Sequence, residues 1–237
     1  MTWPELVVSC LLAYLIGAIP FSWLFVRVLK GIDLRTVGSG NLGSTNAMRV
    51  LGLPWGIAIQ ALDILKGWLP VFAAQFLERE PYYLHSSPEG WPMFLVTPFI
   101  QFQYAILVVG LAAVLGHMFP VYMKFRGGKG VNTGLGVFLA LAPKATLVAL
   151  AIGLAVLALW RYVSLGSMIG ATILPLAVWM FYPNQIALIL ITAAMAVLII
   201  FMHRSNIRRL LAGTESRLGK RVSMEKSREQ KPDPNQA

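Results

Sequence analysis

The sequence predicts an all-α integral membrane protein in which about seven transmembrane helices form a single domain. Of its 237 residues, 57% are hydrophobic and 13% are charged, and the mean hydropathy is +0.68, values that are unusual for a soluble domain. Apolar runs long enough to cross a bilayer as helices recur along the chain. The net charge of +10 is divided among the segments between these runs and a C-terminal tail, so we interpret it as a topology signal and exclude a nucleic-acid partner.

Seven apolar segments are expected to be helical spans. They are residues 5–28, 53–77, 102–121, 131–142, 145–160, 165–182 and 185–203. No Lys or Arg precedes the first segment, so it is predicted to be a retained span and not a cleaved signal peptide. The fourth segment is short, and a tilted span, a re-entrant segment or a kinked continuation into the fifth all fit it. Cys10 is the only cysteine, so no disulfide is expected.

The distribution of basic residues predicts the orientation. With the N-terminus outside and the C-terminus in the cytoplasm, only Arg79 and Lys144 of the 20 Lys and Arg residues lie outside, while Lys66 lies within the second span. The connector 78–101 is then external and interfacial. Residues 1–216 are expected to form the transmembrane domain, and 217–237 a basic, disordered cytoplasmic tail.

A glycine-rich loop follows the first span. Its stretch GSGNLG, residues 38–43, fits the Gly-x-Gly-x-x-Gly pattern, and Asp63 falls 20 positions after Gly43, as in dinucleotide-binding domains. That fold requires a preceding strand and a crossover helix, whereas this loop lies between two membrane spans, so we reject a dinucleotide site. Glycines such as Gly38 and Gly40 still allow backbone N–H groups to turn toward an anion. Side-chain donors are available at Ser39, Asn41, Ser44, Thr45 and Asn46.

Arg49 extends this anion-binding interpretation. A short helix capped by Thr45 or Asn46 is expected here, and Arg49 would lie one turn after its start. The guanidinium group of Arg49 suits the binding of a phosphate. The alternative is a polar re-entrant turn in which Arg49 marks only the cytoplasmic face.

A second glycine-rich loop, GHMFPVYMKFRGGKGVNTG, covers residues 116–134. It is not a nucleotide P-loop, because Met123 and Gly130 stand where that motif requires Gly and Ser or Thr. Lys129 nevertheless lies among Gly127, Gly128 and Gly130, which again suits a phosphate. His117, at the end of the third span, fits either a site residue or a structural hydrogen-bonding residue.

Three further polar groups are candidates for a site. HRSNIRRLLAGTESR, residues 203–217, places His203 and Asn206 on one helix face and adds Glu215, although basic residues after a last span also serve as anchors. Ser164 and Ser167 form a weaker patch that could serve helix packing instead. In LDILKG, Asp63 and Lys66 are three residues apart within a span, where charges usually pair; a structural ion pair and support of a site fit equally well.

Together these motifs resemble the PlsY family of bacterial membrane acyltransferases. GSGNLGSTN, LDILKG, GHMFPVYMKFRGGKGV and HRSNIRRLLAGTES stand in the family's order across nearly the whole chain. The departures are Ser44 and Asn132, where alanine is common in the family, and a longer connector at 78–101. The resemblance implies seven helices with the N-terminus outside, in agreement with the charge distribution, and an active site facing the cytoplasm from the bacterial inner membrane.

The resemblance also implies the reaction and its residues. A fatty acyl group would pass from a long-chain acyl phosphate to glycerol 3-phosphate, giving lysophosphatidic acid and inorganic phosphate, the first acylation of phospholipid synthesis. Phosphate binding is assigned to Ser39, Asn41, Thr45, Asn46, Arg49 and Lys129. His203 and Asn206 would complete the glycerol 3-phosphate pocket, with His117 and Ser167 as additional candidates.

Other readings are less favoured by the residues. A transporter would also contain intramembrane charges, but the polar motifs gather at one face and no paired repeat is visible. The His-x-x-x-x-Asp pair of thioester-dependent acyltransferases is absent from the sequence: Gly90, Tyr122 and Arg208 follow His85, His117 and His203 at that spacing. The three histidines are not clustered with other ligands, so we expect no metal, no cofactor and no obligatory protein partner.

Overall fold

The computed structural model describes residues 1–77 and 102–219, and these contain helices and no strand. The predicted connector 78–101, with Arg79 and His85, and the tail beyond Gly219 lie outside the described residues. The α-helices are α1 (Trp3–Gly17), α2 (Phe21–Lys30), α3 (Ser44–Leu51), α4 (Leu53–Leu77), α5 (Phe102–Met118), α6 (Val131–Leu141), α7 (Pro143–Trp160), α8 (Val163–Phe181), α9 (Ile186–Met202) and α10 (Arg204–Leu211).

The predicted first span consists of two helices. Pro20 separates them, because it cannot donate a backbone hydrogen bond and its ring restricts the chain. At the break, the carbonyl oxygen of Ile19 accepts hydrogen bonds from Nζ of Lys66 at 2.8 Å and from the N–H of Phe21 at 3.1 Å. The break therefore brings a backbone acceptor to the buried charge of the second predicted span.

The remaining predicted spans are helical close to their expected bounds. Five stretches are long and apolar enough to cross a membrane: Trp3–Lys30, Leu53–Gln75, Tyr104–Met123, Pro143–Trp160 and Val163–Phe181. A sixth follows if α9 and α10, which meet at 57°, count as one broken span. The 11-residue α6 is apolar but short, at roughly 16 Å long.

Helix α6 is held against α4 by close backbone contact and is separate from α7. A Cβ at Gly136 would collide with the carbonyl oxygen of Ile64, and one at Gly67 with that of Thr133. Small residues allow this approach in a membrane, where van der Waals packing drives helix association. Pro143 begins α7 directly after Ala142, so the chain turns there and the two helices do not merge.

Five chain segments meet at one end of the helices. They are the loop before α3, the N-terminal turns of α3, the loop before α6, the start of α8, and the chain from His203 to Glu215. Together they carry the two glycine-rich loops, the serine patch and the motif at residues 203–217, so the fold assembles in space the groups that the sequence separates.

Candidate active site

A polar cavity of about 110 Å³ lies where these segments meet. It is open to solvent, and its wall is formed by side chains from all five segments together with side chains from α4, α5 and the first turn of α6. The wall residues are Ser39, Asn41, Gly43, Ser44, Thr45, Asn46, Arg49, Gln60, Asp63, His117, Lys129, Val131, Asn132, Val163, Ser164, Ser167, His203, Asn206, Arg209 and Glu215.

The buried amide of Asn46 organises the first glycine-rich loop. Its Oδ1 accepts a 3.0 Å hydrogen bond from the backbone N–H of Ser39. Its Nδ2 donates to the carbonyl oxygens of Val37 and Asn41, both at 3.1 Å. Since both ends of the amide are used inside the loop, Asn46 fixes the loop's shape, which positions the neighbouring hydroxyl groups at the cavity.

Helix α3 begins at the cavity without a side-chain cap. The predicted cap at Thr45 or Asn46 is wrong: the helix starts at Ser44, Gly43 is its N-cap, and no side-chain capping hydrogen bond is formed. The amide of Asn46 is instead directed back to the loop. The helix N-terminus at the cavity wall therefore carries uncapped backbone donors, which favour an anion.

Arg49, near the end of α3, is half-buried in the cavity wall. None of the described residues forms a hydrogen bond or an ion pair with it, and burial lowers the pKa of its guanidinium. An unpaired, partly desolvated cation is costly, and an anionic ligand removes that cost.

The second glycine-rich loop places Lys129 in the same cavity wall as Arg49. The N–H groups of Gly127 and Gly128 donate to the carbonyl oxygens of Met118 and His117, both at 3.1 Å. A Cβ at Gly128 would collide with the His117 ring. These two glycines therefore hold the loop against the end of α5, and their N–H groups are not available to a ligand; neither they nor Gly130 form the cavity wall.

Lys129 itself is partly buried, and its Nζ donates a hydrogen bond to Oδ1 of Asn206. Burial lowers the pKa of this ammonium group to about 8; the carboxylate of Glu215 opposes the shift, and the nearby guanidinium groups of Arg209 and Arg49 add to it. Lys129 is thus a second cation at the cavity whose direct partner is neutral.

Glu215 connects the C-terminal segment to this lysine. Its Oε1 accepts hydrogen bonds from Asn206 Nδ2 at 2.6 Å and Ser164 Oγ at 2.7 Å, and its Oε2 pairs with Arg209 at 2.7 Å. Burial alone would raise the pKa of Glu215, but these bonds outweigh it and lower the pKa. The carboxylate fixes the Asn206 amide so that its oxygen faces Lys129.

His203 lies at the 57° bend between α9 and α10. Its Nδ1 is 2.8 Å from the carbonyl oxygen of Ile199. A carbonyl oxygen can only accept, so Nδ1 carries the proton, and in the neutral ring Nε2 is left as an acceptor. The ring forms part of the cavity wall, where Nε2 can accept a hydrogen bond from a ligand hydroxyl.

A buried ion pair lies beneath the cavity. Lys66 Nζ is 2.8 Å from Asp63 Oδ1, and His117 Nδ1 is 3.8 Å from the same oxygen. Asp63 and His117 also contribute to the cavity wall, while Lys66 faces away from it toward Ile19. His117 connects this ion pair to the second glycine-rich loop, because its carbonyl oxygen accepts the hydrogen bond from Gly128.

An apolar groove of about 340 Å³ continues from the polar cavity. It runs between α6, α7, α8 and α9 and includes Phe138, Leu174 and Met195. Both cavities share wall residues at their junction. These are Gln60, Val131, Asn132, Val163 and Ser167.

Most predicted site residues meet at the polar cavity. Gly38, Gly40, Gly127, Gly128, Gly130 and Lys66 are the predicted residues outside its wall. Sequence reasoning did not single out Gln60, although an amide one turn before Asp63 in an apolar span was a usable signal. Arg209 was read only as part of a basic cluster, whereas it pairs with Glu215. Within residues 1–77 and 102–219, no three His, Cys, Asp or Glu side chains are grouped as metal ligands.

The chain is similar to known proteins over most of its length. The family model described as glycerol-3-phosphate acyltransferase matches residues 7–213. A glycerol-3-phosphate acyltransferase of Trichlorobacter lovleyi is 45% identical over 206 residues, covering 86% of this chain and 93% of the relative. One of Thermoanaerobacter sp. is 39% identical over 218 residues, covering 92% and 98%.

Two solved structures share the fold. Both are crystal structures of PlsY, an integral membrane glycerol 3-phosphate acyltransferase. The glycerol 3-phosphate form has a TM-score of 0.75 at 36% identity, and the lysophosphatidic acid form 0.72 at 35%. Each comparison covers 91% of this chain and 96% of the other.

Proposed function

Since the chain belongs to the glycerol-3-phosphate acyltransferase family, we propose that it transfers a fatty acyl group from acyl phosphate to glycerol 3-phosphate, giving lysophosphatidic acid and inorganic phosphate. The resemblance to the PlsY family drawn from the motifs is confirmed. The observation that carries the proposal is a cavity with two cations that lack carboxylate partners among the described residues, joined to an apolar groove. The polar cavity suits a phosphate group, and the apolar groove suits an acyl chain.

Glycerol 3-phosphate binds in the polar cavity. Its phosphate lies between Arg49 and Lys129, with hydroxyl donors from Ser39 and Thr45 and the uncapped N-terminus of α3. Asn206 and His203 face the glycerol hydroxyls. Asn46 and Asn41 act by shaping the loop; the Asn41 amide also reaches the carbonyl oxygen of Gly127 at 3.5 Å.

The acyl donor occupies the junction and the apolar groove. Its chain lies between α6 and α8, and its phosphate shares the positive end of the cavity. The shared wall at Asn132 and Ser167 supports this placement, because the reacting carbonyl must lie where the two chemistries meet. The lysophosphatidic acid form of the related PlsY is consistent with a product that spans both cavities.

The reaction is an acyl transfer between oxygens. A glycerol hydroxyl attacks the acyl carbonyl carbon, an oxyanion develops, and the bond to phosphate breaks. Phosphate is a good leaving group, so positioning by Arg49, Lys129 and the loop donors dominates, and a substrate phosphate oxygen accepts the hydroxyl proton. His203 Nε2 orients the hydroxyl. Loss of all turnover in His203→Gln with intact substrate binding would instead make the histidine the essential base.

We also propose the topology that places this chemistry. The protein resides in the bacterial cytoplasmic membrane with the N-terminus outside, and the cavity faces the cytoplasm, where glycerol 3-phosphate is available. Residues 1–216 form the acyltransferase domain. The start of the predicted tail contacts this domain, since the N–H of Leu218 donates to the Arg161 carbonyl oxygen at 2.7 Å.

The donor is tested with purified protein in detergent containing a chelator. Palmitoyl phosphate and glycerol 3-phosphate should give lysophosphatidic acid and phosphate in equal amounts, measured by mass spectrometry and a phosphate assay, while palmitoyl-CoA gives little product. Lys129→Met is the inactive control. Comparable rates from the thioester, or no product from either donor, would refute the proposal. A strict metal requirement would overturn the expectation that the site needs no metal.

A further inference from the structure

We propose that Gly134 sets the width of the apolar groove near its mouth and thereby determines which acyl donors the enzyme accepts. The inference rests on the proposed function, because it takes the acyl chain as the occupant of the groove. Its evidence is independent of the phosphate site and comes from the packing of α6.

Gly134 differs from the other helical glycines of the described chain. A Cβ at Gly17, Gly67, Gly116 or Gly136 would collide with a backbone carbonyl of a neighbouring helix. A Cβ at Gly134 would meet no atom within 4 Å. Helix packing therefore requires glycine at those positions and does not require it at Gly134.

The backbone gives no reason for glycine either. Gly134 lies inside α6 and is not among the residues with positive φ. Glycine in a helix interior is less favourable than alanine, because it loses more conformational freedom on folding. Glycine at this position lowers helix stability and makes no close packing contact. We infer that the space beside it is kept free for a ligand.

The empty space is the groove itself. Val131, Gly134, Leu135 and Phe138 occupy one face of α6 and contribute to the groove wall, as their spacing of three and four residues requires. Val131 also belongs to the wall of the polar cavity. Gly134 follows it by roughly 4.5 Å along the helix axis, so its missing side chain faces the part of the acyl chain near the reacting carbonyl.

This position predicts a dependence on chain length. A side chain at 134 obstructs an acyl chain that passes it and affects a very short chain, which ends near the mouth, much less. Glycine therefore admits long acyl chains, and larger residues progressively exclude them. Glycerol 3-phosphate binding does not depend on the position, because the phosphate lies on the other side of the junction.

The test compares Gly134→Ala and Gly134→Leu with Ala155→Leu. Ala155 is exposed on α7 outside the groove wall, so its variant carries the same leucine side chain without entering the groove. Purified proteins are assayed with palmitoyl phosphate and butyryl phosphate, and glycerol 3-phosphate binding is followed by the shift in melting temperature.

We expect Gly134→Leu to lose about tenfold or more in kcat/KM for palmitoyl phosphate, with an unchanged glycerol 3-phosphate shift and a smaller loss for butyryl phosphate. Gly134→Ala should show a smaller loss at an equal or higher melting temperature, and Ala155→Leu none. Wild-type kinetics in both Gly134 variants overturn the inference. A lower melting temperature in Gly134→Ala does so as well, since it would give the glycine a packing role. Failure of wild-type protein to use any acyl phosphate would refute the proposed function instead.

Discussion

Arg49 and Lys129 are distinguished from the other basic residues by what surrounds them. Arg126 is exposed on the loop, and Arg209 is paired with Glu215. Arg49 has no partner among the described residues, and Lys129 bonds only to the amide oxygen of Asn206. Basic residues near a membrane usually report topology, whereas two partly buried cations with no bonded carboxylate indicate an anion site.

Removing either charge should therefore impair catalysis. We expect Arg49→Met and Lys129→Met each to lower kcat/KM for glycerol 3-phosphate at least tenfold, because a charge-assisted contact contributes about 1.5–3 kcal/mol. Arg126→Met, the matched surface control, should retain activity within about twofold. Equal losses at all three positions would show that the basic residues act through topology.

The low pKa of Lys129 predicts a pH dependence. Because burial lowers that pKa to about 8, the free enzyme loses the ammonium charge as pH rises through this value, while glycerol 3-phosphate, with a second pKa of about 6, stays a dianion. The kcat/KM for glycerol 3-phosphate should fall above pH 8. Lys129→Arg should keep its charge and flatten this limb; an unchanged limb in that variant would assign it to another group.

The same shift has a consequence for stability. The folded pKa of Lys129 lies below the usual value near 10.4, so the unfolded chain binds more protons between about pH 8 and 10 and this lysine's contribution becomes more favourable as pH rises there. At neutral pH the buried ammonium is unfavourable without a ligand. The ligand-free Lys129→Met protein should therefore melt at or above the wild-type temperature, which also verifies its fold.

Motif residues could be named from the sequence because their side chains have few alternative uses near a membrane surface. Lys129, Asn206 and Glu215 are examples, and the structure brings them into one hydrogen-bonded chain. Gln60 could not be assigned in this way, since a single amide in an apolar run also suits helix packing. The sequence also could not predict which polar side chains of the loop bind a ligand and which hold the loop in shape. The structure shows that Asn46 bonds the backbone of the loop itself.

At the scale of elements, helices α3 and α6 meet where the polar cavity joins the groove. Ser44 begins α3 and Asn132 lies in the first turn of α6, and Asn132 Nδ2 donates to Ser44 Oγ at 2.9 Å. These are the two positions that the motif resemblance marks as departures from an alanine common in the family. The departures are therefore a contacting pair that ties the first glycine-rich loop to the helix of the second.

A double-mutant cycle tests this link. Ser44→Ala and Asn132→Ala should each reduce activity modestly, and the double variant should lose less than the product of the single losses. The expected coupling is about 0.5–1.5 kcal/mol, the net contribution of a neutral hydrogen bond. Measurement of kcat/KM for both substrates at fixed detergent gives the coupling; independent effects would mean that the contact does not join the two elements.

Helix existence was predictable along most of the described chain, and helix breaks were less so. A long apolar segment in a membrane must satisfy its own backbone hydrogen bonds and therefore forms a helix. Helix α4, for example, has the predicted bounds. Pro20 could have signalled the division of the first span. The bend at His203 carries no such signal, because neither proline nor glycine marks it, and it depends on the tertiary contacts of the C-terminal segment with Asn206 and Arg209.

At the scale of the whole molecule, the polar cavity and the groove are joined end to end, and this arrangement requires a fixed orientation in the membrane. In the proposed reaction, glycerol 3-phosphate is charged and enters from the aqueous side, whereas the acyl chain occupies the apolar groove between α6, α7, α8 and α9. The distribution of Lys and Arg predicts the sidedness, while the junction of the two cavities forms only when the helices pack together. Neither feature alone explains a protein that joins a water-soluble substrate to a lipid.

This orientation can be measured with single-cysteine variants, because Cys10 is the chain's only cysteine. In a Cys10→Ser background, Arg126→Cys lies on the cavity side and Lys144→Cys at the start of α7 on the opposite side, and both native side chains are exposed. With the N-terminus outside, a membrane-impermeant maleimide should label Lys144→Cys in intact spheroplasts and Arg126→Cys only after permeabilisation. The Cys10→Ser protein without a new cysteine is the control, and retained acyltransferase activity verifies each fold. The reverse labelling pattern would place the cavity outside, away from the cytoplasmic glycerol 3-phosphate that the proposed reaction consumes, and would contradict the topology derived from the basic residues.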